Sequence, residues 1–194
     1  MKIFPQSRLI VLGLLLALLS ACASQTPRPI TPLDNVHQLT HWRLKGKLGI
    51  TVPNDRINAF IDWQQNQDAF HIKLNGPFGQ GLTKIDGDHQ GLTLTSGDDT
   101  ITGPDAESVM LNQLGWSVPV QHFSYWAKGI PSPLAAITAE EYDESGSLSV
   151  LVQDGWQLQL SRYEAVAGVQ LPGKMIARAP ELSLVLVIKD WQPR

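Results

Sequence analysis

Two periodicities divide the chain. From Trp42 to Thr102 apolar residues recur at every second position, the signature of half-buried strands. Trp42, Leu44, Leu48 and Ile50 alternate with Arg43, Lys45, Lys47 and Gly49, giving one apolar and one basic face. Ile57, Ala59, Ile61 and Trp63 repeat the pattern, although Phe60 breaks it; Phe70, Ile72 and Leu74, then Thr83 and Ile85, then Leu92 and Leu94, with Ile101 beyond, continue it. Pro53-Asn54-Asp55, Asn66-Gln67-Asp68, Asp86-Gly87-Asp88 and Ser96-Gly97-Asp98-Asp99 supply turn chemistry between them. The pattern predicts a meander of about six antiparallel strands. At Pro104-Asp105 the period changes to that of a helix. Ala106, Val109, Met110 and Leu114 share a face up to Gly115; after Pro119, Val120, Phe123 and Ala127 form a second stripe with Trp126 nearby, closed by Lys128-Gly129 and Pro131. Strands resume after the polar stretch 140–147: Leu148 to Gln153 and Trp156 to Tyr163 flank Asp154-Gly155, Val169 to Leu171 lead through Pro172-Gly173 to Met175 and Ile176, and Leu182, Leu184, Leu186 and Ile188 alternate towards Trp191. The sum is a mainly β fold of ten or eleven strands interrupted by two short helices. His37 to His41 reads as a short helical lead-in.

One connection is unlike the others. Leu74-Asn75-Gly76-Pro77-Phe78-Gly79-Gln80-Gly81 joins two strand patterns yet carries a phenylalanine at its centre. Pro77 and the glycines let the backbone turn sharply. Phe78 either folds back onto the core or projects as an aromatic finger towards a membrane or an apolar cargo.

The N-terminus fixes the compartment. Lys2 and Arg8 precede the apolar run Leu9 to Leu19, which falls short of the ~20 residues that a hydrocarbon core requires and matches an export signal. Leu19-Ser20-Ala21-Cys22 then forms a lipobox: cleavage before Cys22 removes a signal peptide of residues 1–21, and the thiol takes a diacylglyceryl group. Cys22 is the single cysteine of the chain, so lipidation accounts for it and no internal disulfide is available. Multiple acyl chains anchor stably. Ala23, where inner-membrane retention uses Asp, favours the outer membrane. Residues 22–35, rich in proline and poor in apolar side chains, read as a flexible lipid-anchored tether, and 36–194 as a single domain. The net charge of −3 grows more negative once Lys2 and Arg8 leave, which is the wrong sign for a nucleic-acid partner.

Motifs for chemistry are sparse. There is no Gly-x-Ser-x-Gly elbow, the five histidines lack metal-ligand spacing, and the Gly76–Gly81 loop lacks the Lys-Ser/Thr pair of a phosphate site. The sequence therefore predicts no cofactor, no metal and no catalytic group, while a dispersed triad stays compatible with any one sequence. The apolar inventory says more. Six tryptophans and ten or eleven strands imply a curled sheet, whose interior is either filled by side chains or encloses a pocket that the helices cap. Alternation nominates Trp42, Leu44, Leu48, Ile61, Trp63 and Ile72 on the sheet, and Val109, Met110, Phe123 and Trp126 on the helices, as its lining.

Trp42-Arg43-Leu44-Lys45-Gly46-Lys47-Leu48-Gly49, Trp63-Gln64-Gln65, Gly76-Pro77-Phe78-Gly79, Gly115-Trp116 with Pro119, Tyr125-Trp126 and Gly129-Ile130-Pro131 together resemble the LolB family of outer-membrane lipoprotein receptors. The resemblance covers nearly all of the chain after the lipobox. It implies an open, incomplete antiparallel β-barrel with a helical lid and an apolar cavity. The implied function is to accept triacylated lipoproteins from a LolA-type periplasmic carrier and to place them in the inner leaflet of the outer membrane, as a monomer. The family's protruding loop carries an apolar tip residue, often leucine, for membrane delivery; Gly76, Pro77, Phe78 and Gly79 occupy that place here. Two rivals are a structural or assembly lipoprotein that docks proteins on its sheet and a lipid-modifying hydrolase.

Overall fold

The computed structural model describes residues 32–77 and 81–194. Its core is one antiparallel sheet of eleven strands. The meander comes first: β1 (His41–Val52), β2 (Asp55–Asn66), β3 (Ala69–Asn75), β4 (Thr83–Asp88), β5 (Gly91–Ser96) and β6 (Asp99–Gly103). Helices α1 (Ala106–Leu114) and α2 (Val120–Trp126) follow, then β7 (Ile137–Tyr142), β8 (Leu148–Gln153), β9 (Trp156–Ser161), the short pair β10 (Glu164–Val166) and β11 (Val169–Leu171), β12 (Lys174–Ala179) and β13 (Leu182–Pro193). Spatial order is β6-β5-β4-β3-β2-β1-β13-β12-β9-β8-β7, with β10-β11 a separate ribbon. The first strand thus pairs with the last, and β6 and β7 form the two free edges. They are not paired with each other, so the sheet curls without closing.

Alternation sets the two faces. Trp42, Leu44, Leu48 and Ile50 of β1, Ile61 and Trp63 of β2, Ile72 and Leu74 of β3, and Leu184, Leu186 and Ile188 of β13 all point inward and are buried. Phe60, which interrupts the β2 pattern in sequence, lies on the outer side and is 50% exposed. A bulge between Lys45 and Gly46 shifts β1 against β13. Glycine is required there, since a Cβ on Gly46 would stand 2.2 Å from the Val187 carbonyl oxygen.

Two expectations need correction. The stretch read as polar connection contains an edge strand, β7, whose residues are all exposed; with neither face buried it carries no alternating signal. The helical lead-in is a single 3₁₀ turn, Val36–Gln38, and His41 already belongs to β1. The stretch read as tether is fixed at its far end, where the Leu33 N–H donates to the Ala167 carbonyl (2.8 Å). Residues 1–31, including Cys22, and residues 78–80, including Phe78 and Gly79, lie outside the described residues.

Candidate functional site

The helices arise from topology as much as from pattern. The chain leaves β6 at one edge of the sheet and resumes at β7, the opposite edge. The intervening residues 104–136 must cross the concave face, and they do so as α1, a linker and α2.

The two helices are held differently. Helix α1 has a complete local design: Asp105 accepts from the Glu107 N–H, and Gly115 closes the other end in the left-handed conformation (φ 76°). It buries only Val109 and Met110, and Leu111 is 54% exposed. Helix α2 has no side-chain cap, yet Val120, Phe123 and Trp126 are all buried. Phe123 meets Trp126 (centroids 5.1 Å) and stands edge-on to Trp156 (5.3 Å). Behind the rings sits Gln153, fully buried at the end of β8. Its Oε1 accepts from Trp126 Nε1 (2.8 Å) and from the Ser132 N–H (2.9 Å), and its Nε2 donates to the Ser132 and Ala135 carbonyls (2.7 Å each). One glutamine therefore ties α2 and the strap that follows it to the sheet.

Lys128 makes a second tie. Its buried ammonium donates to the Leu39 carbonyl (3.1 Å) and lies 5.1 Å from the Tyr125 ring centre. Burial pushes its pKa down to about 8. Tyr163 fixes the end of the same segment: its hydroxyl donates to the Leu148 carbonyl (2.6 Å), packs against Gly129, and is pushed above its ordinary pKa by burial.

Between sheet and helices the interior is apolar and nearly full. Leu48, Ile61, Trp63, Ile72, Leu74, Ile85, Met110, Trp116, Val118, Val120, Phe123, Leu184 and Leu186 surround a void of about 40 Å³. That is far below the ~150 Å³ of a dry cavity that takes one benzene. The chamber expected from the sequence is thus collapsed in this conformation, and an acyl chain fits only after α1 or the linker moves. Of the nominated residues, Leu48, Ile61, Trp63, Ile72, Met110 and Phe123 line the void. Leu44 is buried within the core, Val109 packs under Gly103, and Trp126 is committed to Gln153. Trp42 stacks against Trp63 and Trp191 (5.1 and 5.3 Å) beside a separate cleft of about 320 Å³ that also borders Lys128. Gly76 and Pro77 lead out of β3, Pro77 exposed. In the sequence Gln153, Lys128 and Tyr163 mark only element ends, with no role in the site attached to them; the one signal of their role is a polar side chain placed within an otherwise apolar run or helix end.

Among the described residues, no group of three or more His, Cys, Asp or Glu could hold a metal ion, and no helix is long and apolar enough to cross a membrane.

The LolB family profile, described as "Outer membrane lipoprotein LolB", matches residues 40–191. The chain belongs to the LolB family. Curated relatives named outer-membrane lipoprotein LolB support this over nearly full length. The protein of Cellvibrio japonicus is 38% identical over 92% of this chain and 95% of its own. That of Marinomonas sp. is 33% identical over 90% and 92%, and that of Pseudomonas aeruginosa 33% over 96% and 97%. The fold is also similar to that of a LolA superfamily protein from Nitrosomonas europaea, with TM-score 0.50 at 8% identity over 80% of this chain and 87% of that one. The fold is thus shared at a distance where sequence is not.

Proposed function

We propose that this LolB family member is a lipid-anchored receptor of the outer membrane that takes lipoproteins from a LolA-type carrier and releases them into the inner leaflet. Cys22 carries the anchor, and the protein acts as a monomer. The observation that carries the reading is the apolar interface between the concave face and a lid of which one helix is hydrogen-bonded to the sheet and the other is held by apolar contacts alone. An acyl chain exposes ~0.8 kcal/mol of unfavourable contact per methylene in water, so it enters any apolar space that opens to it. Lifting α1 and the linker exposes Met110, Trp116, Val118 and the sheet residues beneath them, while Gln153 keeps α2 in place. Transfer onward needs only a better solvent, the bilayer. Phe78, at the β3–β4 connection, serves that step by entering hydrocarbon.

The test is transfer from a loaded carrier. The chain with Cys22→Ala should take a labelled lipoprotein from a LolA-type protein and pass it to liposomes. Phe78→Glu should leave uptake intact and reduce delivery strongly, because a charge resists entering hydrocarbon. Failure of uptake refutes the receptor role; normal delivery by Phe78→Glu refutes the part given to the loop.

A further inference from the structure

The outer face of the sheet carries a charge pattern that cargo binding does not use. Register places Arg43, Lys45 and Lys47 of β1, Arg56 of β2, Lys73 of β3 and Lys84 of β4 on that face, in adjoining rows: Lys84, Lys73, Asp62 and Lys45 lie side by side. The whole chain is nevertheless acidic, with net charge −3. Most of its carboxylates sit elsewhere, in turns, at the start of α1 and along the β7 edge; Asp62, Asp86 and Asp88 share this face, and Asp190 of β13 stands opposite Lys45. Two of these acids are engaged: Arg43 grips Asp62 through Nε (2.6 Å) and Nη2, holding that carboxyl below its ordinary pKa, and Asp86 contacts His71. None of Lys45, Lys47, Arg56, Lys73 or Lys84 forms an ion pair among the described residues. Directly beside them the outer face is apolar. A trough of about 620 Å³ is bounded by Lys47, Arg56, Phe60, Val185 and Val187, with Gly49 leaving its floor bare and Pro77 at its end.

Strand directions add a second constraint. β1 begins at His41, in register with Asn66 and Ala69, so the lead-in from the anchor joins the sheet at one end. β3 runs parallel to β1 and ends at Asn75, in register with Phe60 and Lys47, so the β3–β4 connection leaves at the other end, ~20 Å along the strands. A domain whose strands lie along the surface brings both ends to it, an arrangement within reach of the tether between Cys22 and the lead-in.

We propose that the outer face of β1–β4, with the Phe60 trough, is a docking surface for an anionic phospholipid leaflet, on which the domain lies side-on. Basic side chains supply attraction, each strengthening binding several-fold at such a surface. Phe60, Val185 and Val187 supply apolar contact at the headgroup boundary. The orientation argument rests on the lipid anchor proposed above, whereas the charge argument does not.

The experiment removes the anchor. The mature chain, residues 22–194 with Cys22→Ala, is mixed with vesicles of phosphatidylcholine alone or with phosphatidylglycerol added, and vesicle-bound protein is sedimented. Binding should require the anionic lipid and weaken as salt rises. Two separate pairs, Lys47→Glu/Arg56→Glu and Lys73→Glu/Lys84→Glu, should each weaken it at least about tenfold while thermal midpoint and lipoprotein uptake stay unchanged. Equal binding to both vesicles, no binding at low salt, or full binding by both folded variants overturns the proposal. Loss of uptake in the parent chain would instead strike the receptor role and leave this surface standing.

Discussion

The two lid helices cover the same concave face by opposite means. Helix α1 is capped at both ends but joins the core through apolar contacts such as Val109 and Met110, with no polar tie to the sheet among the described residues. Helix α2 is poorly capped and short, below the length at which an isolated helix persists in water. It exists because Trp126 and the strap behind it are hydrogen-bonded to Gln153 and because Lys128 reaches Leu39. Intrinsic helix design and attachment are therefore separable. Both helices, of nine and seven residues, are too short to persist alone in water, but the capped one needs less from its partners to stay helical. The difference predicts that α1 lifts more readily than α2, and amide exchange should be faster from α1 than from α2.

Breaking the polar ties of α2 should have the largest effect. Gln153→Leu leaves the Trp126 indole N–H, the Ser132 N–H and two carbonyls unpaired in the interior, a loss of about 4 kcal/mol by denaturant unfolding. In the same variant, exchange from α2 should rise to the level of α1. Exchange from α2 that stays slow would show that the aromatic stack alone suffices.

Lys128 sharpens the comparison through pH. Its pKa falls from 10.5 to about 8 in the folded chain. Unfolded chains therefore bind more protons than folded ones between these values, and stability rises with pH across that window. Below pH 8 the full burden of the buried ammonium is present; towards pH 10.5 it is relieved, by about 3 kcal/mol in total. Unfolding curves of the parent and of Lys128→Met, compared at pH 7 and pH 10, isolate this from other titrating groups. The parent should gain on the variant as pH rises.

On α1 the effects are smaller. Met110→Ala should lower stability by about 2 kcal/mol, at the low end for such truncations because the side chain already borders a void. It should also speed lipoprotein uptake if lifting α1 limits that step. Leu111→Gln changes an exposed position and should alter stability by less than about 0.5 kcal/mol. A larger loss would mean that α1 is held more firmly than its contacts indicate.

Most of the sheet was legible because most strands bury one face. The inward row of β1 and the outward Arg43, Lys45 and Lys47 follow directly from alternation. β7 was missed because it buries neither face. The helices were legible by period, caps and flanking prolines, but their unequal attachment was not. That depends on Gln153, which is separated from Trp126 by 27 positions and looks in sequence like any polar residue at the end of a strand. The state of the interior was equally hidden: Leu48, Trp63 and Phe123 are the same residue types whether they line an open chamber or fill a closed one. Arg43 had no readable partner until pairing set Asp62 across from its neighbour Lys45.

Because residues 104–136 run from one free edge of the sheet to the other, they act on it as a string acts on a bow. The string's second half is pinned to the sheet through Gln153 and Lys128, so any slack released when α1 lifts is available to the β6 edge alone. Widening of the chamber and flattening of the sheet are consequently one motion. A guest seated beneath the string's first half would report its size to the edge strand β6.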